Sequence, residues 1–321
     1  MIRNLLLPVI LVSAAACTHV VRVGELKTGP EPAAIAYRKV NGQDVAMRIF
    51  EPAGHKPSHH RAAVIILHGG DWLTGDVQSA FPIARYFAAR GAVAFCVDYR
   101  IVKPQGPTVF DSLADCKSAV RYVRNNAGRL GVDSTRIAVF GDSAGAHLAA
   151  CLASIPEFDP PDEDRSVSSA PNAAVLVNPF IDTTDFARLA KLPGVKELVP
   201  DKDGGPLPTL LGYGQMPDDR ALAISPYHHI KPGQPPTLLI HSAASDMQIV
   251  YDTRRLAGAM QAAGIRCKLH VVQGVAHPLE RARVEVCIET LRASDRFLAS
   301  LGFLDGEPTL VADPPGTPAS P

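Results

Sequence analysis

Between residues 36 and 301 the chain alternates short apolar runs with longer stretches of helical spacing. Ala36–Val40 and Asp44–Phe50 alternate in polarity about Asn41-Gly42, which predicts two antiparallel strands across a tight turn. Continuous apolar runs of the kind buried on both faces of a sheet follow at Ala62–Leu67, Ala92–Val97, Ile137–Phe140, Ala173–Val177, Thr237–His241 and Cys267–Val272. Helical spacing separates them over Ser79–Arg90, Asp111–Ala127, the alanine-rich run from Ala144, Thr253–Ala263 and Leu279–Leu301. This order predicts an α/β fold: a mostly parallel central sheet with an N-terminal antiparallel hairpin, right-handed crossovers and helices on both faces. One stretch departs from the rhythm. Residues 181–220, with Gly204-Gly205-Pro206 and short helical pieces, read as a small cap-like insertion.

The ends have a different composition. Met1–Asn4 carries one positive charge, Leu5–Val12 is apolar with Pro8 inside it, and Ala14-Ala15-Ala16 precedes Cys17. This pattern predicts an export signal that is too short to span a membrane comfortably. Two processing readings stand side by side: cleavage after Ala16, or a lipobox whose Cys17 is lipidated. In either case the protein is expected outside a bacterial cytoplasm, periplasmic or lipid-anchored, with membrane contact only through Cys17. Residues 18–34 read as a tether, 35–301 as one domain and 302–321 as a flexible Pro-rich tail.

Charge and cysteine usage remove several function classes. Lys plus Arg and Asp plus Glu number 32 each, so formal net charge is zero, and no basic block interleaves with aromatics. A nucleic-acid partner is therefore not expected. Beyond Cys17 lie Cys96, Cys116, Cys151, Cys267 and Cys287, an odd number at long spacings unlike a small disulfide framework. No C-x-x-C or H-E-x-x-H occurs, and His55, His59 and His60 sit in a polar loop, so no metal site is expected.

The candidate chemistry lies where strands end. Ile137–Phe140 runs into Gly141-Asp142-Ser143-Ala144-Gly145 and then a helix, the strand-turn-helix setting of a G-x-S-x-G nucleophile. Ala62–Leu67 runs into His68-Gly69-Gly70-Asp71-Trp72, whose glycines suit successive backbone N–H groups turned toward an oxyanion. Asp246 and His277 each follow a predicted strand, so Ser143, Asp246 and His277 would line one edge of a parallel sheet. An imidazole must take the serine proton, and a carboxylate must orient the imidazole. The insertion at 181–220 would cover this edge.

HGGDW (68–72), VDYR (97–100), GVDSTRIAVFGDSAGAHLAA (131–150), SPYHHIKPGQPPTLLIH (225–241) and GVAHP (274–278) resemble the α/β-hydrolase superfamily. Within it they resemble the esterases related to hormone-sensitive lipase and to bacterial acetyl and feruloyl esterases. The resemblance implies Ser143 as nucleophile, His277 as general base and acid, and Asp246 as its partner. It also implies oxyanion donors at Gly69, Gly70 and Ala144, with the Asp71 N–H as an alternative to Gly69, and no cofactor. Two departures stand out: the acid loop reads His241-Ser242-Ala243-Ala244-Ser245-Asp246, with serine for glycine and one residue added, and Asp71 replaces a third glycine. Asp252 is the nearest substitute acid, and the Asp71 carboxylate should point away from the oxyanion. Asp71, Trp72 and Asp142 are candidate substrate contacts, with Trp72 either lining the acyl pocket or packing beneath it. His147, His228, His229 and His241 read as structural. The reaction that the resemblance implies is hydrolysis of short-acyl esters, with carbohydrate esters among the candidate substrates. Amide hydrolysis on the same fold is the alternative, and a non-catalytic ligand-binding relative is a third reading.

Overall fold

The computed structural model describes residues 21–103, 106–184, 218–242, 247–273 and 284–314. Eight strands form one sheet in the order β2-β3-β5-β4-β6-β7-β8-β9. They are β2 (Ala33–Val40), β3 (Gln43–Phe50), β4 (Arg61–Leu67), β5 (Val93–Val97), β6 (Val132–Asp142), β7 (Ala173–Val177), β8 (Thr237–Ser242) and β9 (Cys267–Val272). β3 runs antiparallel to both β2 and β5, and every later pairing is parallel. The hairpin predicted from Asn41-Gly42 is present, with Asn41 and Gly42 both at positive φ in the turn.

The central strands are continuous apolar runs because each face is covered. Ala63, Ile65 and Leu67 of β4 and Ile137 and Val139 of β6 join one buried cluster with helices α3 (Val109–Asn125), α5 (Ala144–Ser154) and α7 (Met247–Ala262). Their neighbours Val64, Ile66, Ala138 and Phe140 join a second cluster with α2 (Phe81–Ala89) and α8 (Val284–Ala299). Two shorter helices lie between these elements, α4 (Ala127–Leu130) before β6 and α6 (Asp218–Ala223) before β8.

The described residues extend the fold at both ends. The stretch read as a tether holds a two-residue strand, β1 (Val21–Arg22), and a short helix, α1 (Val23–Lys27), with Val21 and Leu26 buried. The stretch read as a tail returns with Phe303, Leu304 and Leu310 buried, and β10 (Leu310–Val311) pairs in parallel with β1. These segments have too few apolar positions for a periodic signal; they are ordered by burial against α2 and α8. Two boundaries also move. α7 begins at Met247, six residues before the predicted start at Thr253, and β6 begins at Val132. Most of the predicted insertion, residues 185–217, lies outside the described residues.

Charged groups inside this frame are paired. Asp115 of α3 is fully buried and accepts from Arg100 Nε at 2.7 Å, Arg100 Nη2 at 2.9 Å and Arg38 Nη1 at 3.1 Å. It thereby joins β2, α3 and the exit of β5. On the other face Asp295 of α8 accepts from Arg90 Nε at 2.6 Å and from the Tyr86 hydroxyl, whose ionisation is pushed up by burial and then by that carboxylate. None of the five cysteines from Cys96 onward forms a disulfide.

Removing one partner of a buried ion pair strands the others in low dielectric. Asp115→Ala is expected to lower the unfolding free energy by about 3–5 kcal/mol, measured by urea denaturation at pH 7.

Candidate active site

Ser143 sits between β6 and α5 with φ 55° and ψ −119°, a sparsely populated conformation for a residue with a side chain. Such strain persists only where the surroundings over-determine it. Here the Ser143 N–H donates to Val177 O at 2.9 Å, and its carbonyl accepts from the His147 N–H at 3.0 Å. The flanking glycines fix the turn from both sides. A Cβ on Gly141 would stand 2.3 Å from Gly145 O, and one on Gly145 would stand 2.2 Å from Leu67 O and 2.5 Å from His68 O. Three backbone segments therefore meet closer than any side chain allows, which explains the G-x-S-x-G spacing.

The loop after β4 is built just as closely. Gly70 has φ 118°, and a Cβ there would lie 2.3 Å from Thr74 O. The Leu73 and Thr74 N–H groups both donate to Gly70 O, which folds residues 70–74 into a tight turn with Asp71 and Trp72 also at positive φ. Among the described residues, the N–H groups of Gly69, Gly70 and Asp71 donate to no protein acceptor. Ala144 is the first residue of α5, where N–H groups have no intrahelical partner. A Cβ on Gly69 would lie 3.4 Å from Ser143 Cβ, so the loop runs close beside the serine with room for glycine alone. The segments that carry the sequence-predicted donors thus adjoin Ser143. Such a group of N–H donors at a helix N-terminus can stabilise negative charge forming beside the serine.

Tyr99 supports this loop. Its buried hydroxyl donates to His68 O at 2.7 Å, and its ring stacks on the His68 imidazole with centroids 4.3 Å apart. The VDYR run after β5 marked the position, but its role depends on β5 lying beside β4 in the sheet.

Trp72 and His147 meet edge to face at 5.2 Å, with Phe180 packed on the Trp72 ring at 5.4 Å. His147 Nε2 donates to Ile224 O at 2.8 Å, which leaves Nδ1 bare when the ring is neutral. Among the described residues, neither Trp72 Nε1 nor His147 Nδ1 has a hydrogen-bond partner. Burial holds the His147 pKa down to about 4. His228 lies 3.3 Å from the Asp182 carboxylate, His229 contacts Leu222 O, and His241 is buried at the end of β8. His55 bonds Leu130 O, and His59 Nδ1 accepts from the Lys56 N–H. Asp142 is buried beside Ser143 and lines a cavity on the α2 and α8 side. Asp246, His277 and Cys17 lie outside the described residues. Among the described residues, no group of three or more histidine, cysteine or acidic side chains is arranged to hold a metal ion.

The strand order, the helices on both faces and a serine held at positive φ between strand and helix make the chain an α/β-hydrolase. Within that class it belongs to the BD-FAE family, whose model matches residues 47–258. Esterase 2 of Thermogutta terrifontis phosphonylated by sarin is 37% identical, with a TM-score of 0.75 over 87% of this chain and 98% of that one. Its butyrate-bound form gives 37% identity and a TM-score of 0.73, covering 87% and 97%. Esterase LipU of Mycobacterium tuberculosis is 28% identical over 229 residues, 69% of this chain and 71% of LipU. Carboxylesterase NlhH of the same species is 34% identical over 141 residues, 42% of this chain, and the match spans only 43% of NlhH.

Two outcomes follow from the geometry. Tyr99→Phe leaves the buried His68 carbonyl without its donor and should cost about 1–2 kcal/mol of stability in urea denaturation. His147 resists protonation in the folded protein but titrates near 6.5 when unfolded. Below pH 6.5 the unfolded state binds the extra proton, so stability should fall as pH drops from 6.5 toward 4. A shift of that size corresponds to roughly 3 kcal/mol, and the difference between pH 7.5 and pH 4.5 should shrink in His147→Gln.

Proposed function

We propose that the protein is an exported serine carboxylesterase acting on short-acyl esters, among them acyl groups carried by carbohydrate. The observation that carries the reading is Ser143, strained at the N-terminus of α5 against a loop of undonated backbone N–H groups. Ser143 Oγ attacks the acyl carbon while His277 takes its proton, and Asp246 orients the imidazole. The N–H groups of Gly69, Gly70 and Ala144 receive the developing oxyanion. His277 then gives the proton to the departing alkoxide, a water repeats the sequence on the acyl-enzyme, and the carboxylate leaves. No step requires a cofactor. Short acyl groups are supported by the propionate- and butyrate-bound forms of the Thermogutta esterase. Export is supported by the composition of residues 1–17, with Cys17 as the site of lipid attachment.

Hydrolysis of p-nitrophenyl acetate and butyrate by protein lacking residues 1–17 tests the chemistry. Activity should fall by about a thousandfold or more in Ser143→Ala and in His277→Ala, as removal of either member of a serine–histidine pair does elsewhere. Turnover of amides but of no ester would replace the reading with amide hydrolysis. For localisation, the full chain expressed in a bacterium should incorporate labelled palmitate, and Cys17→Ser should abolish it; an exported, unlabelled wild type would mean plain cleavage instead.

A further inference from the structure

The loop after β4 holds three consecutive peptide groups whose carbonyl oxygens are all taken. His68 O accepts from the buried Tyr99 hydroxyl at 2.7 Å. Gly69 O lies 2.7 Å from His68 Nδ1, and since a carbonyl only accepts, Nδ1 carries the proton. Gly70 O accepts from the Leu73 N–H at 3.1 Å, the Thr74 N–H at 2.8 Å and the Thr74 hydroxyl at 3.0 Å. Gly75 closes the back of the loop: a Cβ there would stand 2.4 Å from Gly69 O and 2.6 Å from His68 Nδ1. His68 is itself held, its imidazole lying on the Tyr99 ring with 9° between the planes.

A trans peptide group is planar, with its N–H opposed to its C=O, so whatever fixes a carbonyl also aims the N–H of the next residue. Tyr99 therefore aims the Gly69 N–H, His68 aims the Gly70 N–H, and Leu73 and Thr74 aim the Asp71 N–H. Sheet order gives the first of these its direction. β4 lies between β5 and β6, with Leu67 level with Val97 on one side and with Gly141 on the other. Tyr99 comes two residues after Val97, and Ser143 two residues after Gly141. With His68 O drawn toward the β5 side, the Gly69 N–H faces the β6 side, where the serine stands. The third aim is set by backbone donors and one hydroxyl from the turn itself. The first two rest on side chains, and so are open to substitution.

We propose that Tyr99 and His68 are positioning residues for catalysis, acting through the backbone to set the orientation of the Gly69 and Gly70 N–H groups toward the oxyanion. The proposal rests on the esterase reading. A donor aimed at charge that forms only in the transition state lowers the barrier without tightening substrate binding. With p-nitrophenyl butyrate, Tyr99→Phe and His68→Phe should therefore lower kcat and kcat/KM together by about ten- to a hundredfold, with KM within about twofold. His68→Asn, whose amide can donate from the place of Nδ1, should recover part of the loss. Tyr86→Phe is the control: it removes a buried hydroxyl donor from Asp295, on the α2 and α8 face, and should leave kcat within about twofold. Butylboronic acid, which captures Ser143 Oγ as a tetrahedral boronate, reads the same geometry without turnover. Its calorimetric Kd should rise by the factor lost from kcat/KM. Unchanged kcat and boronate affinity in folded Tyr99→Phe and His68→Phe overturn the positioning role and leave the esterase. A loss carried by KM, or matched by Tyr86→Phe, overturns it as well. A wild type that hydrolyses no ester removes the esterase reading, and boronate affinity then decides the positioning role alone.

Discussion

The constraint on which the structure depends is the contact of three stretches of backbone: the end of β4, the end of β6 and the first turn of α5. A Cβ on Gly141 would collide with Gly145 O, and one on Gly145 would collide with Leu67 O. Because these segments touch through backbone alone, α5 is held against the carboxyl ends of β4 and β6. Ser143 cannot relax from positive φ without separating them. The same contact brings Gly69 beside Ser143, so the nucleophile and the electrostatic surface around it are positioned by one packing event.

Around that point the molecule divides its work between two faces. The face with α3, α5 and α7 carries Asp115 and its two guanidinium partners, which tie the antiparallel hairpin to the parallel core. It also carries the sealed group of Trp72, His147 and Phe180, whose ring packing holds the residue after the oxyanion loop. The face with α2 and α8 is tied by Asp295 instead, and there the packing leaves a void lined in part by His68, Gly69 and Asp142.

Where burial on both faces imposed continuous apolar runs, the elements could be read directly. Ala173–Val177 and Cys267–Val272 match the structure to the residue, and the elbow and its glycines were visible as a motif. What could not be read depends on partners distant in the chain. β1 and β10 are two residues each, and their only reason to be strands is one another, across the Val21 to Leu310 register. Asp115 looks like a polar interruption of a helix until β2 and the exit of β5 deliver Arg38 and Arg100. Tyr99 acquires meaning only once its hydroxyl reaches His68 O. The start of α7 was misplaced because Met247–Tyr251, with two β-branched residues, has no strong helical preference of its own.

The pairing of β1 with β10 also bears on where the enzyme can work. If Cys17 carries lipid, Thr18, His19 and Val20 alone separate the anchor from the first paired residue, Val21. Three residues fully extended reach about 11 Å, not much more than a Debye length at physiological ionic strength. A leash that short would not let the body search the compartment. It would hold α1 close to the headgroups, so that esters dissolved in or adsorbed to the bilayer would meet the enzyme at a concentration set by the membrane rather than by the surrounding fluid.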